Sequence, residues 1–323
     1  MNDRAVGILE NYDVQILRTT KGRGTILAET EQGWLVLKEY GGPAARLEIL
    51  EQVLLAIREK GFRRAELLLR NKEGELITYD QEQIPYIVKT FISGRECNLR
   101  DVKECQNAVR TLALLHTAME LPEIAERYHL PDYHLDAEFE KRTRELKKVR
   151  RYLREKRQKT DFERYLFQNY DFFYEKAVAV LEDMKAEYSP VQRAAGGFCH
   201  GDLQHHNLIW EQDGFSILNF EKCTTDNPVR DLYQFLRKLL EKNCWSASLG
   251  LSMLTAYETQ RILSETDRKQ LYYRFSYPEK FWKIVNFYYN NGKAWIPDKN
   301  REKLETLLCQ ENEKVRFLDS VLR

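Results

Sequence analysis

The sequence has no uninterrupted apolar run approaching the roughly 18 to 20 residues that a membrane-spanning helix needs. Its first residues, MNDRAVGILENYDVQIL, lack the basic start, long apolar core and small-residue cleavage site of a secretory signal, so the chain is expected to be made and folded in the cytoplasm. There is no CxxC pair and no cysteine spacing of a zinc site among Cys97, Cys105, Cys199, Cys223, Cys244 and Cys309, which reads as reduced, mostly buried thiols. Charge of neither sign dominates: 51 Lys and Arg meet 50 Asp and Glu, so no global field draws the chain to nucleic acid or a membrane surface, and neither is expected as a partner. Internal repeats and low-complexity linkers are missing too.

What is present is enough for a large core. The 323 residues are too many for one small domain, and 43% apolar with 12% aromatic residues supply a dense interior for two. Short β-rich pieces dominate the first part: Val14–Leu17, Thr25–Glu29, Trp34–Tyr40, Glu66–Leu69, Leu76–Tyr79 and Tyr86–Phe91, separated by Gly-, Asn- and Pro-containing turns. Between them, Pro43 to Lys60 carries Leu47, Leu50, Leu54 and Ile57 at spacings of three and four, with Gly61 just past the end, and predicts a helix. After Ile92-Ser93-Gly94-Arg95 the pattern turns helical, from Asp101 to Met119 and from Ala137 to about Lys185, with strand character returning only at Phe198–Phe220. The expected architecture is α+β and bilobal. Residues 1–92 would form a small antiparallel β lobe with one helix, and 93–323 a larger, mainly helical lobe containing a loop region at 198–221.

That loop, HGDLQHHN from His200 to Asn207, carries the chemistry. An Asp followed five residues later by an Asn, just before a strand, is the layout of a phosphoryl-transfer loop. The Asp takes or orients the proton of the attacking hydroxyl, the Asn oxygen helps hold a divalent metal, and Gly201 permits the tight turn that presents Asp202. The plain alternative is an Asx-capped turn. Downstream, Gly214 turns a hairpin whose second strand, Ser216–Glu221, brings Asn219 to the place of the principal metal carboxylate. Mg²⁺ favours charged oxygens, so a neutral amide there weakens the site. Glu221, two residues on along the same strand, is expected to point the same way as Asn219, because successive strand residues alternate faces, and to partly substitute.

In the first part, WLVLK ends an apolar strand on Lys38, the position of a phosphate-holding lysine, with Glu48 as its first ion-pair partner and Glu51 as its second. Lys21-Gly22-Arg23-Gly24 is either a phosphate loop lacking its third glycine or an ordinary hairpin turn. Tyr86–Ile92, containing Lys89 and Phe91, reads as a last strand and hinge against an adenine ring. Asp231, early in a helix from Val229 to Lys242, either braces the loop or is a first-turn acid favoured by the helix dipole. His116 reads as a packed helix residue. Between Glu138 and Arg164, twelve Lys or Arg face six acids, either as a solvated helix face or as a docking strip for an acidic partner.

HGDLQHHN, followed by ILNFEKCTTDNPVRDLYQFLRKLLEKN, resembles the aminoglycoside/choline-kinase-like superfamily, and more narrowly the bacterial spore-coat protein S family. WLVLKEY, YIVKTFISGREC and LALLHTAM are similar to that family as well, so the likeness spans nearly the whole chain. The resemblance implies a protein-kinase-like fold using ATP and Mg²⁺, with Asp202 as catalytic base, Asn207 as metal ligand, Lys38 on the phosphates, and His200 and Asp231 as structural support. The departure is Asn219 where the family has a metal-binding Asp. It implies a kinase-like coat protein with weak, altered or lost catalysis, acting in the mother cell and spore coat beside other coat proteins. The alternative is an active cytoplasmic phosphotransferase acting on a small hydroxyl- or amino-bearing molecule.

Overall fold

Alternation of buried and open side chains builds the N-terminal sheet. In the computed structural model, which describes residues 3–130, 134–187, 197–290 and 297–322, a short helix α1 (Asp3–Leu9) leads into strands β1 (Ile16–Lys21), β2 (Ile26–Thr30) and β3 (Gly33–Glu39). Helix α2 (Ala44–Glu59) follows, then β4 (Leu68–Leu69), β5 (Thr78–Tyr79) and β6 (Pro85–Thr90). Among the described residues these six strands pair antiparallel in the order β1-β2-β3-β6-β4, with β5 also on β6. Leu35 and Leu37 point to one face and join Ala28, Tyr86 and Val88 over Ala5, Ile8, Leu9 and Tyr12. Trp34, Val36 and Lys38 must then face the other way, because successive strand residues alternate. The register sets Lys38 opposite Ile87 and Val36 opposite Lys89, so Lys89 shares the face of Lys38.

Helix α2 has the expected boundaries. Pro43 sits at its N-cap, Lys60 at its C-cap, and Gly61 takes φ +93° beyond it, where a left-handed residue ends a helix without steric cost. It buries Leu47, Leu50, Leu54 and Ile57, together with Val53. The single helix expected in this region is joined by α1, whose Ala5, Ile8 and Leu9 are fully buried. Seven residues make too short a periodic run to stand out in the sequence.

Helix α3 (Val102–Ala118) begins at Asp101, whose side chain accepts from the backbone of Lys103 and Glu104, and is followed by α4 (Pro122–Arg127). His116 is fully buried and bonded through Nδ1 to the Tyr257 hydroxyl at 2.7 Å, as a packed helix residue should be. Strand β7 (Arg95–Glu96) pairs with β9 (Leu208–Trp210), which pairs with β10 (Phe215–Ile217). A Cβ on Gly94 would lie 2.3 Å from the Trp210 carbonyl, so glycine is required for this close approach. Strand β8 (Gly197–Cys199) enters the HGD loop and β9 leaves it, while β11 (Thr224–Asp226) comes later in the chain, after β10.

The rest is helical: α5 (Leu135–Glu155), α6 (Asp161–Glu187), α7 (Val229–Lys242), α8 (Ala247–Glu258), α9 (Glu265–Ser276), α10 (Glu279–Asn290), α11 (Pro297–Cys309) and α12 (Glu311–Phe317). The continuous helical run expected from Ala137 to Lys185 is broken after Glu155. Thr160 and Glu163 exchange side-chain to backbone hydrogen bonds, Glu163 N to Thr160 Oγ1 at 3.2 Å and Thr160 N to Glu163 Oε2 at 2.9 Å, a capping box that starts α6 afresh. Leu146, Leu153, Phe162, Leu166, Tyr170, Phe173 and Phe281 are central to the core of this part.

Of the six cysteines, Cys97, Cys105 and Cys199 are buried, Cys223 is half-buried, and Cys244 and Cys309 are exposed; all are free thiols. Among the described residues no helix is long and apolar enough to cross a membrane. The described residues fall into two compact units, one within 1–130, 197–224 and 256–261, the other within 131–196, 225–255 and 262–323.

Candidate functional site

Every residue of the HGD loop and every strand lysine singled out above belongs to the first unit. The loop is held by its own backbone. His200 is fully buried; its Nδ1 accepts from Asp202 N at 3.2 Å, which leaves Nε2 to donate to the Leu218 carbonyl at 2.8 Å. Its ring packs edge-on against Phe220. Gly201 has φ +82°, and a Cβ there would lie 2.2 Å from the Lys222 carbonyl oxygen. Cys97 N donates to the Leu208 carbonyl at 2.9 Å and ties β7 to the loop's exit.

Asp202, presented by that turn, has a side chain 31% exposed and accepts from Lys222 Nζ at 2.7 Å and Gln204 Nε2 at 3.0 Å. Burial pushes its carboxyl up, but the Lys222 and Gln204 hydrogen bonds and the Lys222 charge outweigh burial and hold it below the usual range. Asp202 is therefore ionised. Asn207, buried, donates through Nδ2 to the Asp202 carbonyl at 2.9 Å and accepts from Asn219 Nδ2 at 2.9 Å.

Asn219 takes a left-handed conformation, φ 65° and ψ 55°, which asparagine tolerates better than most residues. This turn ends the strand early. β10 stops at Ile217 and Glu221 lies in a 3₁₀ turn, Phe220–Lys222, so strand alternation is not what aims it. It nonetheless converges with Asn219, because the turn swings it back: Lys38 Nζ reaches both Asn219 Oδ1 and Glu221 Oε1 at 3.1 Å. Lys89 Nζ reaches Glu221 Oε1 at 2.7 Å, Glu66 Oε1 at 3.0 Å and Asn219 Oδ1 at 3.2 Å. Burial would push the Lys89 ammonium down, yet Glu66 and Glu221 more than offset this and it stays charged. Burial would likewise raise the Glu221 carboxyl, but Lys89 and Lys38 bring it down to about 2.

Lys38, Lys89, Asn207, Asn219, Glu221 and Asp202 thus form one connected set. Glu48 is not among them. It is paired with Arg70 at 2.6 Å and, like Glu51, is drawn to that guanidinium, so the expected Lys38–Glu48 pair gives way to Lys38–Glu221. Phe91 lies just past β6, its amide donating to the Trp34 carbonyl at 3.0 Å and its ring tilted against Trp34. Lys21 to Gly24 turn the β1–β2 hairpin, with Gly22 N on the Thr25 carbonyl at 2.9 Å. Lys21, Gly22 and Gly24 line a cavity of about 520 Å³ with Arg4, Leu37, Glu39 and Tyr86, on the sheet face opposite to Lys38. Asp231 is fully buried in the first turn of α7, in the second unit.

Sequence reasoning missed Glu66. Its Oε1 accepts from Lys89 and also from the backbone N of Asn219 at 2.7 Å and of Phe220 at 3.3 Å, which pins the left-handed turn. An acid inside FRRAELLL and a lysine inside YIVKTF were the available signal: opposite charges in two apolar segments bury only as a pair.

An antiparallel sheet with a lysine on β3, followed by helical chain and an HGDxxxxN loop, is the fold of the kinase-like phosphotransferases. An aminoglycoside phosphotransferase from Alicyclobacillus acidocaldarius subsp. acidocaldarius DSM 446 superposes with a TM-score of 0.82 at 20% identity, covering 97% of this chain and 94% of that one. AMP-bound spectinomycin phosphotransferase APH(9)-Ia superposes at 0.68 and 13% identity, with 99% of both chains covered. Amicoumacin kinase hAmiN, in complex with AMP-PNP and Ca²⁺, gives 0.59 at 12%, covering 99% of this chain and 94% of that one. Within this class, residues 7–321 match the family described as "Spore coat putative kinase YutH", and the chain belongs to that family. It is also 24% identical to spore coat protein S of Bacillus subtilis (strain 168), over 97% of this chain and 92% of that protein.

Proposed function

We propose that this protein is a nucleotide-binding, kinase-like component of the endospore coat, made in the mother cell, whose phosphoryl transfer is weakened or lost and whose work is coat assembly. Residues 1–92 serve as the nucleotide lobe, with Lys38 toward the phosphates and the Lys89–Phe91 segment toward the adenine. Residues 93–323 carry the loop and the contacts to other coat proteins, while nucleic acid and membrane are not partners. The membership in a spore coat family and the nucleotides held by neighbours of the same fold support this reading.

The observation that carries the loss of catalysis is the commitment of the cation-binding groups. Asn219 offers an amide, Glu221 is held by two lysines, and Asp202 is held by Lys222. Mg²⁺ demands charged oxygens in near-ideal geometry and dehydrates reluctantly, so this donor set does not fit it. The test is ADP formation from ATP by the purified protein, which this reading expects to be little above background.

One observation favours the alternative, an active phosphotransferase on a small hydroxyl- or amino-bearing molecule. Asp202 is ionised, part-exposed and presented by a glycine turn, as a base for an incoming hydroxyl should be. Turnover that depends on Asp202 would select it.

A further inference from the structure

In the pattern that the resemblance implies, two oxygens, one from residue 207 and one from residue 219, face a divalent cation across a gap. Here the gap is closed by a hydrogen bond, Asn219 Nδ2 to Asn207 Oδ1 at 2.9 Å. Both amide orientations are fixed by independent partners. Asn219 Oδ1 accepts from two ammonium groups, so its NH₂ must face residue 207. Asn207 Nδ2 donates to the Asp202 carbonyl, so its oxygen must face residue 219. An aspartate at 219 would set two acceptors against each other and need a cation between them. The asparagine supplies the missing donor itself.

The charges are matched in the same way. Lys38, Lys89 and Lys222 stand against Glu66, Glu221 and Asp202, three of each sign. A carboxylate at 219 would leave the set one negative charge in excess. Lys89, with a side chain only 2% exposed, cannot leave; Lys38, 31% exposed, shares the same Glu221 oxygen and can. If Lys38 turns to an incoming phosphate, Lys89 keeps Glu221 neutralised, and no buried carboxylate is left unpaired.

We propose that this site takes the phosphates of a nucleoside triphosphate without a divalent cation, with Lys38 as the exchanging contact and the Lys89 ammonium and the Asn207–Asn219 hydrogen bond in the cation's place. The proposal rests on the nucleotide reading above and goes beyond it in removing the metal. Titration of the full-length protein with N-methylanthraniloyl-ATP, competed by ATP, in excess EDTA and in excess MgCl₂, tests it. The dissociation constants in the two media are expected to agree within about threefold, and Lys38→Met to weaken binding about tenfold or more in both, the loss of one charge-assisted contact. Asn219→Asp, in the same left-handed turn, is expected to bind about tenfold more weakly in EDTA and to recover with Mg²⁺. Wild-type binding that appears only with Mg²⁺ overturns the metal-free inference and leaves the nucleotide reading standing. Failure to bind in either medium overturns both.

Discussion

Lys89 Nζ sits 2.7 Å from Glu221 Oε1 with its side chain 2% exposed, a buried ammonium shared between the strand that precedes the expected hinge and the turn that follows the HGD loop. Removing one partner of such a pair leaves an uncompensated buried charge. Lys89→Met is expected to cost about 3–5 kcal/mol in urea unfolding, and Lys89→Met with Glu66→Gln to recover part of that loss, because neighbouring charges couple. A loss below about 1 kcal/mol, typical of an exposed pair, would show that the cluster is open to water.

Glu221 sets an acid dependence whose sign is fixed by the direction of its shift. Its carboxyl lies at about 2 in the folded protein against an ordinary 4.5. The stability it contributes is complete above pH 4.5 and is lost as pH falls toward 2, since the unfolded chain binds the proton first. Unfolding free energies measured at intervals across that window should fall more steeply for wild type than for Glu221→Gln. Parallel curves would remove Glu221 from the account.

Gly201 is needed for both its left-handed backbone and the 2.2 Å approach of the Lys222 carbonyl to where a Cβ would stand. Gly201→Ala is expected to destabilise by about 1–3 kcal/mol and to disturb the Asp202–Lys222 pair. Gly7, in helix α1 with nothing within 4 Å of its Cβ position, is the control. There alanine should be neutral or stabilising by up to about 1 kcal/mol in thermal unfolding. Equal effects at the two sites would contradict the loop geometry.

Much of this was legible in the sequence because it is local. Pro43 and Gly61 bounded α2, the helical pattern from Asp101 to Met119 is α3, and His200, Gly201, Asp202 and Asn207 stand together in one short stretch of chain. Partner choice was not local. Glu48 and Glu51 turned to Arg70, and Lys38 found Glu221 across 183 positions, because the left-handed turn at Asn219 replaces the expected strand and is pinned by Glu66. The break between α5 and α6 was written in Thr160-Asp161-Phe162-Glu163, a capping box inside an apolar-periodic run that reads as continuous unless that signal is given weight.

The basic segment from Glu138 to Arg164 resolves into two kinds of cation. Arg150 and Lys156 are paired, with Asp171 and Glu163. Lys141, Arg144, Lys147, Lys148 and Arg151 line the exposed side of α5. If an acidic coat protein docks there, Lys141→Glu, Arg144→Glu, Lys148→Glu and Arg151→Glu together should shift the protein from the coat fraction to the soluble fraction of spore extracts. Exposed substitutions of this kind change stability by about 0.5 kcal/mol or less each, so unfolding serves as the check on integrity. Unchanged partitioning with intact folding would leave only a solvated helix face.

The most direct test of the central claim is the rate at which the purified protein converts ATP to ADP in Mg²⁺, compared with Asn219→Asp and Asp202→Ala. Near-background turnover is expected for the native chain, and a rise with the aspartate at 219. Vigorous native turnover that disappears in Asp202→Ala would contradict it and establish a working phosphotransferase.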